Sequence, residues 1–360
     1  MPFRRSLVAL AAACALALPL SGAQTARAEP VRSPFTPWQR VSAEPLLTPR
    51  GDGFEAAGVF NPAVVEHRGA TIMLYRAQDA AGVSRIGYAS SSDGVRFTRR
   101  AAPVLSPQTY YETDGVEDPR VVRAGDVYYM TYTGYSSAIH AAQLCLATST
   151  DLVHWDRKGI VLPAGRGRWN AGWTKSGAIL PERVHGKYWM YYMGERGSDP
   201  PAQMGIAVSD DLVHWTDALD RPVMETRAGA FDARVVEPGP PPVMTDAGIL
   251  LVYNGASDFL IYSTGWALFD KNDPAKLVAR SDTPIFAAFE PWERTGQVPY
   301  VVFVEGLVRD GDVWTFYYGG ADKTIGAART RLRAARANAA FAPATGCRSG
   351  DRAECRRGRL

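Results

Sequence analysis

With 360 residues, 46% of them hydrophobic, the chain is long enough to bury a large core. Sixteen Tyr, 13 Phe and 9 Trp alongside 34 Gly and 25 Pro favour many short strands joined by tight turns and argue against a helix bundle. The formal charge of +3 is carried by the two ends, and residues 29–330 sum to −6, which argues against the clustered basic face that a nucleic-acid-binding domain needs.

The chain opens on the pattern of an export leader: Arg4 and Arg5, an apolar run from Leu7 to Leu20, then Ala26-Arg27-Ala28 ahead of Glu29. Residues 1–28 are therefore expected to be a signal peptide, and the protein to be exported, periplasmic or secreted. The run is too short to span a membrane, and no later stretch is apolar enough to do so.

Five apolar segments then follow turn glycines: "GATIMLYRA" from Gly69, "GDVYYMTYTGY" from Gly125, "GKYWMYYMGE" from Gly186, "GILLVYNGAS" from Gly248 and "GDVWTFYYGGAD" from Gly311. The steps between these glycines are 56, 61, 62 and 63 residues, too regular for unrelated turns. A second element recurs in phase, in "GYASSSDGVRFTR" at Gly87, "LATSTDLVHWDR" at Leu146 and "IAVSDDLVHWTD" at Ile206. Each joins a short strand to a Ser-Asp turn, whose side chains can bond the local backbone, and to an aromatic. Five units of several antiparallel strands predict an all-β, five-bladed β-propeller spanning residues 29–330, with one blade per unit. A β-sandwich with accidental similarity explains the phase of neither element. The Arg-rich tail, 331–360, is expected to be solvated or disordered. Cys145 reads as a small core residue, and Cys347 and Cys355 have the spacing to close a loop in an oxidising compartment.

The segments upstream of the five glycines, "FNPAVVEHRG", "VEDPRVVRAG", "TKSGAILPERVHG", "VEPGPPPVMTDAG" and "VVFVEGLVRDG", are the candidate innermost strands. Their leading polar residues are Asn61, Glu117 with Asp118, Lys175 with Ser176, Glu237, and Glu305. Convergence of inner strands on the axis would set these groups around a shallow pocket. Facing carboxylates without a nucleophile triad suit glycoside hydrolysis, in which one acid protonates the leaving oxygen and one base activates water. Crowding is expected to raise some of their pKa values and keep the acid protonated near neutral pH. The five His have no metal-ligand spacing, and no metal or cofactor is expected.

The set "FNPAVV", "MLYRA", "GVEDPR", "KSGAILPE", "EPGPPPV", "GQVPYVVFVEG" and "YYGGAD" resembles glycoside hydrolase family 130, the mannoside phosphorylases and β-mannosidases, from about Phe54 to Arg329. The resemblance implies a five-bladed propeller acting with inversion on a mannose-containing oligosaccharide. It implies Asp118 as the general acid, its proton relayed through a sugar hydroxyl, and Asn61, Arg76 and Asp322 as residues that hold the reacting sugar; Lys175 joins them as a candidate substrate-binding residue. It also implies that phosphorylases hold phosphate with a Lys and an Arg at the places occupied here by Val235 and Met193. Glu237 and Glu305 stand where hydrolytic relatives carry acids, and either is a candidate base.

These expectations favour an inverting β-mannosidase, by analogy a β-1,2-mannosidase. A phosphorylase and a non-catalytic glycan-binding propeller are the alternatives. Glu117 is expected to orient its neighbours or pair with Arg120, a structural role that Arg120 shares; Glu293 is a weaker rival acid, Trp155, Trp215, His154 and His214 are expected to pack the blades, and Trp173 and Trp292 to lie in loops free to line subsites. The sequence carries no signal for oligomeric state.

Overall fold

The five in-phase segments become the second strands of five four-stranded antiparallel blades in the computed structural model, which describes residues 32–165, 169–197 and 201–333. The expected leader, nearly all of the tail, Cys347 and Cys355 lie outside these residues. Blade 1 comprises Gly58–His67, Ala70–Gln78, Ser84–Ser91 and Thr98–Arg99. Blade 2 comprises Gly115–Ala124, Val127–Ser136, Ala141–Ser149 and Asp156–Leu162. Blade 3 comprises Trp173–Val184, Lys187–Glu195, Gln203–Ser209 and Thr216–Asp217. In blade 4 the inner strand is split into Val235–Pro238 and Val243–Thr245 around the proline run, followed by Gly248–Ala256, Tyr262–Phe269 and Leu277–Arg280. Blade 5 comprises Val302–Asp310, Val313–Gly320 and Thr324–Arg331. Its fourth strand comes from the other end of the chain: Gln39–Arg40 pairs antiparallel with the last strand, Gln39 opposite Arg329. The sequence pattern held no sign of this closure, because a two-residue strand has no periodicity.

Alternating apolar residues on both faces of each blade build five core seams. They lie between blades 1 and 2 (Ile72, Val116, Met130), 2 and 3 (Leu144, Ile179, Met190), 3 and 4 (Leu180, Ile206, Leu251), 4 and 5 (Trp266, Val302, Phe316), and 5 and 1 (Tyr317, Ile325, Met73). The last seam closes the ring, and the protein is a five-bladed β-propeller. Gly69, Gly125, Gly186, Gly248 and Gly311 all have positive φ, which is why a glycine recurs at this turn.

A second repeat is invisible in the apolar pattern. Three residues before the inner strands of blades 1, 2 and 4, a buried carboxylate, Glu55, Glu112 or Asp232, accepts the hydroxyl proton of a buried Tyr on that blade's second strand: Tyr75, Tyr132 and Tyr253. The fourth strand sends an Arg to the same carboxylate, Arg99, Arg157 or Arg280. Blade 5 repeats the latch with Glu293, Tyr318 and Arg40. In blade 3 the polarity is exchanged: Asn170 stands where the carboxylate would be, and Asp217 on the fourth strand accepts from Tyr192. Hydrogen bonding keeps these buried polar groups from carrying a desolvation penalty.

The Ser-Asp turns form as the sequence predicts. Ser91, Ser149 and Ser209 accept backbone N–H bonds from Gly94, Leu152 and Leu212, and Asp93, Asp151 and Asp211 accept two more each. Trp155 and Trp215 pack into the seams. His154 and His214 do not: their imidazoles are exposed and bond Asp151 and Asp211, because the turn directs them outward.

Candidate active site

The inner strands share one irregularity. Their ladders slip after Phe60, Glu117, Lys175 and Val304, so a bulge interrupts each of these strands at the cavity end of the axis. Bulges re-aim side chains. Asn61, Asp118 and Ser176 occupy them with φ of 49°, 51° and 60°, and Asp322 on the adjoining turn has φ of 51°. Left-handed backbone costs a non-glycine residue about 1 kcal/mol or more, and such strain concentrates at functional sites. Gly319 allows the close packing around Asn61, since a Cβ there would lie 2.5 Å from Asn61 Oδ1.

A cavity of about 230 Å³ opens above these bulges. Asn61, Arg76, Asp118, Lys175, Glu237 and Asp322 line it together with Leu260, Tyr262, Val298, Val301 and Phe303. All the sequence-predicted site residues except Glu305 therefore meet in one place. Asn61 Nδ2 donates to Asp118 Oδ1 at 2.8 Å, and Arg76 Nη1 lies 3.4 Å from the same oxygen. Arg76 also reaches Glu117 at 2.7 Å, donates to Ser84 at 2.9 Å, and stacks its guanidinium 4.8 Å over the Phe60 ring. Ser176 donates to Glu237 Oε1, and Lys175 Nζ lies 3.5 Å from that oxygen.

The electrostatics divide the carboxylates. Burial disfavours the charge on Asp118, but Arg76, Lys175 and the Asn61 hydrogen bond outweigh it and hold this carboxyl below its ordinary range. Crowding thus does not keep Asp118 protonated, contrary to the expectation from the sequence. For Asp322 burial wins over Arg76, and neighbouring Asp118 adds to it, raising its pKa to about 6. Burial likewise raises Glu117 against the pull of Arg76. Lys175 is held protonated despite burial by Glu237 and Asp118.

Glu305 is the exception, and the register explains it. Asn254 opposite Glu237 and Gly319 opposite Phe303 each follow the latch tyrosine of their blade, so Phe303 is the blade 5 counterpart of Glu237. Glu305 stands two residues deeper. It is fully buried, does not line the cavity and faces Arg120, whose Nη2 is 2.8 Å from Oε1 in a geometry that leaves both carboxylate oxygens without a hydrogen-bond donor among the described residues. Burial pushes its pKa well up, with Arg120 opposing. Glu117 and Arg120 do not pair, because the bulge between them turns Arg120 inward to the carbonyls of Pro238, Gly239 and Asp118.

Three further expectations resolve. Glu293 belongs to the blade 5 latch, where Arg40 binds it at 2.7 and 2.6 Å. Trp292, on the short helix Pro291–Arg294, stacks on Tyr318 and donates to the Ala43 carbonyl instead of facing a subsite. Trp173 begins the blade 3 inner strand, with its ring edge toward Tyr135. Glu195, which the sequence reading passed over, is buried with a raised pKa because burial outweighs Lys175. Its signal was faint, a lone acid at the end of "YYMGE". Met193 and Val235, far apart in sequence, meet with Ala202 and Ala256 in one small apolar cluster against Tyr262.

A polar, carboxylate-bearing pocket on the axis of a five-bladed propeller defines the class of carbohydrate-active enzymes. The model of the family described as beta-1,4-mannooligosaccharide phosphorylase matches residues 32–335, and the chain belongs to glycoside hydrolase family 130. It is 38% identical over 304 residues to a 1,2-beta-oligomannan phosphorylase of Thermoanaerobacter sp. (strain X514), covering 82% of this chain and 97% of the relative. A solved structure described by the words "the GH130 family of mannoside phosphorylases contains glycoside hydrolases that target beta-1,2 mannosidic linkages in Candida mannan" superposes with a TM-score of 0.73. It is 35% identical, over 82% of this chain and 94% of that one. The β-1,2-mannobiose phosphorylase of Listeria innocua, in complex with β-1,2-mannobiose, has a TM-score of 0.73 at 27% identity, over 82% and 97%.

Proposed function

We propose that this enzyme of β-mannosides is a hydrolase, cleaving them with inversion and preferring β-1,2 linkages. Asn61, Arg76 and Asp322 would hold the terminal mannose across Asp118. Asp118, which Arg76 and Lys175 hold low without substrate, must take up a proton from solvent as the sugar binds; it delivers that proton, through a sugar hydroxyl, to the glycosidic oxygen as the bond to the anomeric carbon breaks. Glu237 takes a proton from the water that attacks that carbon from the opposite face. Ser176 and Lys175 orient Glu237. Glu305, buried against Arg120, serves as a support of the inner wall and not as the base. The leader pattern supports an exported enzyme.

The observation that carries the hydrolytic reading is the cluster of Met193, Val235, Ala202 and Ala256 beside the cavity. Apolar side chains cannot stabilise a phosphate dianion, and Glu237 would repel one. The phosphorylase reading is favoured by what the Thermoanaerobacter and Listeria relatives are named for. Incubation with β-1,2-mannobiose, with and without phosphate, separates the two. Free mannose at a phosphate-independent rate is expected, and accumulation of mannose 1-phosphate would overturn the hydrolytic reading. Asp118→Asn tests the non-catalytic alternative: turnover should fall by about 10²-fold or more, the usual worth of a general acid.

A further inference from the structure

Large apolar side chains on the surface are gathered on one face. Of the eight exposed among the described residues, Tyr110, Ile139, Phe259, Leu260, Ile261, Phe289 and Tyr300 all lie in connections that follow a second strand or precede an inner strand, the end of the propeller that carries the cavity. Four of them adjoin one another at its mouth. Leu260 lines the cavity itself, flanked by Phe259 and Ile261, and Tyr300 is joined to the same wall because its carbonyl accepts the Tyr262 N–H at 3.2 Å.

This rim is built rather than incidental. The turn is fixed by Leu260 N–H to the Ser257 carbonyl at 2.9 Å and Ser257 N–H to the Ile261 carbonyl at 3.2 Å. Leu260 and Tyr300 are both held at left-handed φ, 57° and 59°, a conformation that apolar residues avoid unless the surroundings impose it. Phe259 is 86% exposed, so its ring is not part of the core of the described residues.

We propose that Phe259, Leu260, Ile261 and Tyr300 form a platform for an apolar aglycone, an alkyl or aryl group carried on the leaving side of the mannoside. The inference rests on reading the cavity as a mannoside site, and deepens it by assigning the chemistry of what the sugar is attached to. Leu260 lines the same cavity as the sugar-binding groups, so a substituent that leaves the cavity past Leu260 meets Phe259, Ile261 and Tyr300. The occupant is a part of the substrate and not an anionic membrane, because Leu260 is continuous with the cavity, Asp258 sits in the same turn, and residues 29–330 carry a net negative charge.

Calorimetry of the full chain with methyl and octyl 1-thio-β-D-mannopyranosides tests this without requiring turnover. The octyl compound should bind at least about tenfold more tightly, the worth of burying about two methylenes. Phe259→Ser/Ile261→Ser should abolish that difference and leave the methyl affinity unchanged. Equal affinities of the two compounds, failure of either to bind, or a loss of methyl affinity in the double variant would each overturn the proposal. So would sedimentation with neutral phosphatidylcholine vesicles that the double variant abolishes while the two affinities stay equal, which would mark a lipid-contacting surface. Failure of the catalytic reading is distinguishable, since it shows as absent cleavage of β-1,2-mannobiose whatever the thiomannosides do.

Discussion

Glu237→Gln and Glu305→Gln separate the two candidate bases. Removing a general base costs about 10² to 10⁴ in rate, or roughly 2.7 to 5.5 kcal/mol of barrier. Glu237 lines the cavity and is held by Ser176 and Lys175, so its amide variant should lose activity in that range. Glu305 is different because it does not line the cavity and is fully buried, where desolvation raises its pKa and disfavours its charge, so an amide of the same shape replaces it at little cost. Arg120 does not depend on it, since three backbone carbonyls accept from that guanidinium. Glu305→Gln should therefore keep kcat/KM within about threefold, and Tm within about 2 °C of wild type. Initial rates of mannose release from β-1,2-mannobiose, with thermal unfolding measured in parallel, decide the matter. A Glu305→Gln protein that unfolds normally but has lost about 10² in rate would refute the assignment, as would a fully active Glu237→Gln protein.

Asp322 has a folded pKa near 6 against an ordinary value of 3.8, so its contribution to stability is complete below about pH 4 and is lost as pH rises through 6. The two-unit shift sets a ceiling near 3 kcal/mol, and contact with the open cavity reduces it to about 1–3 kcal/mol. Asp322→Asn should thus raise Tm at pH 8 and not at pH 4, and kcat/KM of the wild type should decline as pH rises through about 6, as Asp322 gives up its proton beside Asp118. Arg40→Ala unfastens the closing strand from buried Glu293, which keeps Tyr318 and the amides of Phe289 and Glu290 as donors. The cost should sit near the lower end for a broken buried pair, about 3 kcal/mol by urea unfolding at pH 7. It should shrink in acid, because the carboxyl of Glu293, held low by Arg40 against the effect of burial, then protonates. Phosphate at about 10 mM should leave the wild-type Tm unchanged within about 1 °C, since an anion that does not bind the native state cannot stabilise it; a clear rise would mean that cations elsewhere do the work of positions 193 and 235.

The blade count was legible because its signals are local. A glycine with positive φ, an apolar second strand and a Ser-Asp turn each repeat within one unit, and the spacing of Gly69, Gly125, Gly186, Gly248 and Gly311 carries the number five. The positions of Asn61, Asp118, Lys175, Glu237 and Asp322 in the cavity followed from the same alignment together with the family resemblance. What escaped depends on register. Glu305 looks equivalent to Glu237 when the inner strands are aligned by their acids. Only the pairing of Phe303 with Gly319 and of Glu237 with Asn254 shows it two residues too deep. The Tyr–carboxylate latches escaped because Glu55, Glu112 and Asp232 lie in loops, where an acid is unremarkable until its tyrosine and arginine partners are placed around it.

The repeat and the site make opposite demands on the same framework. A latch is useful only if it is the same in every blade, and blade 3 shows how strong that constraint is, since Asn170 and Asp217 exchange roles around Tyr192 and the bridge survives. A sugar site on a five-fold axis is useful only if the blades differ, because a mannose ring has no five-fold symmetry. The inner-strand positions paired with the residue that follows each latch tyrosine meet that need, holding Phe60, Glu117, Lys175, Glu237 and Phe303 at equivalent places in the five blades. Left-handed backbone at Asn61, Asp118 and Ser176 then turns the next residue toward the axis. Substitutions at latch residues should accordingly change Tm with little effect on substrate preference, whereas substitutions at Lys175, Glu237 or Phe303 should change preference or rate with little effect on Tm. A latch variant such as Tyr253→Phe that kept its Tm but altered the choice among mannosides would show that the two functions are not separated in this way.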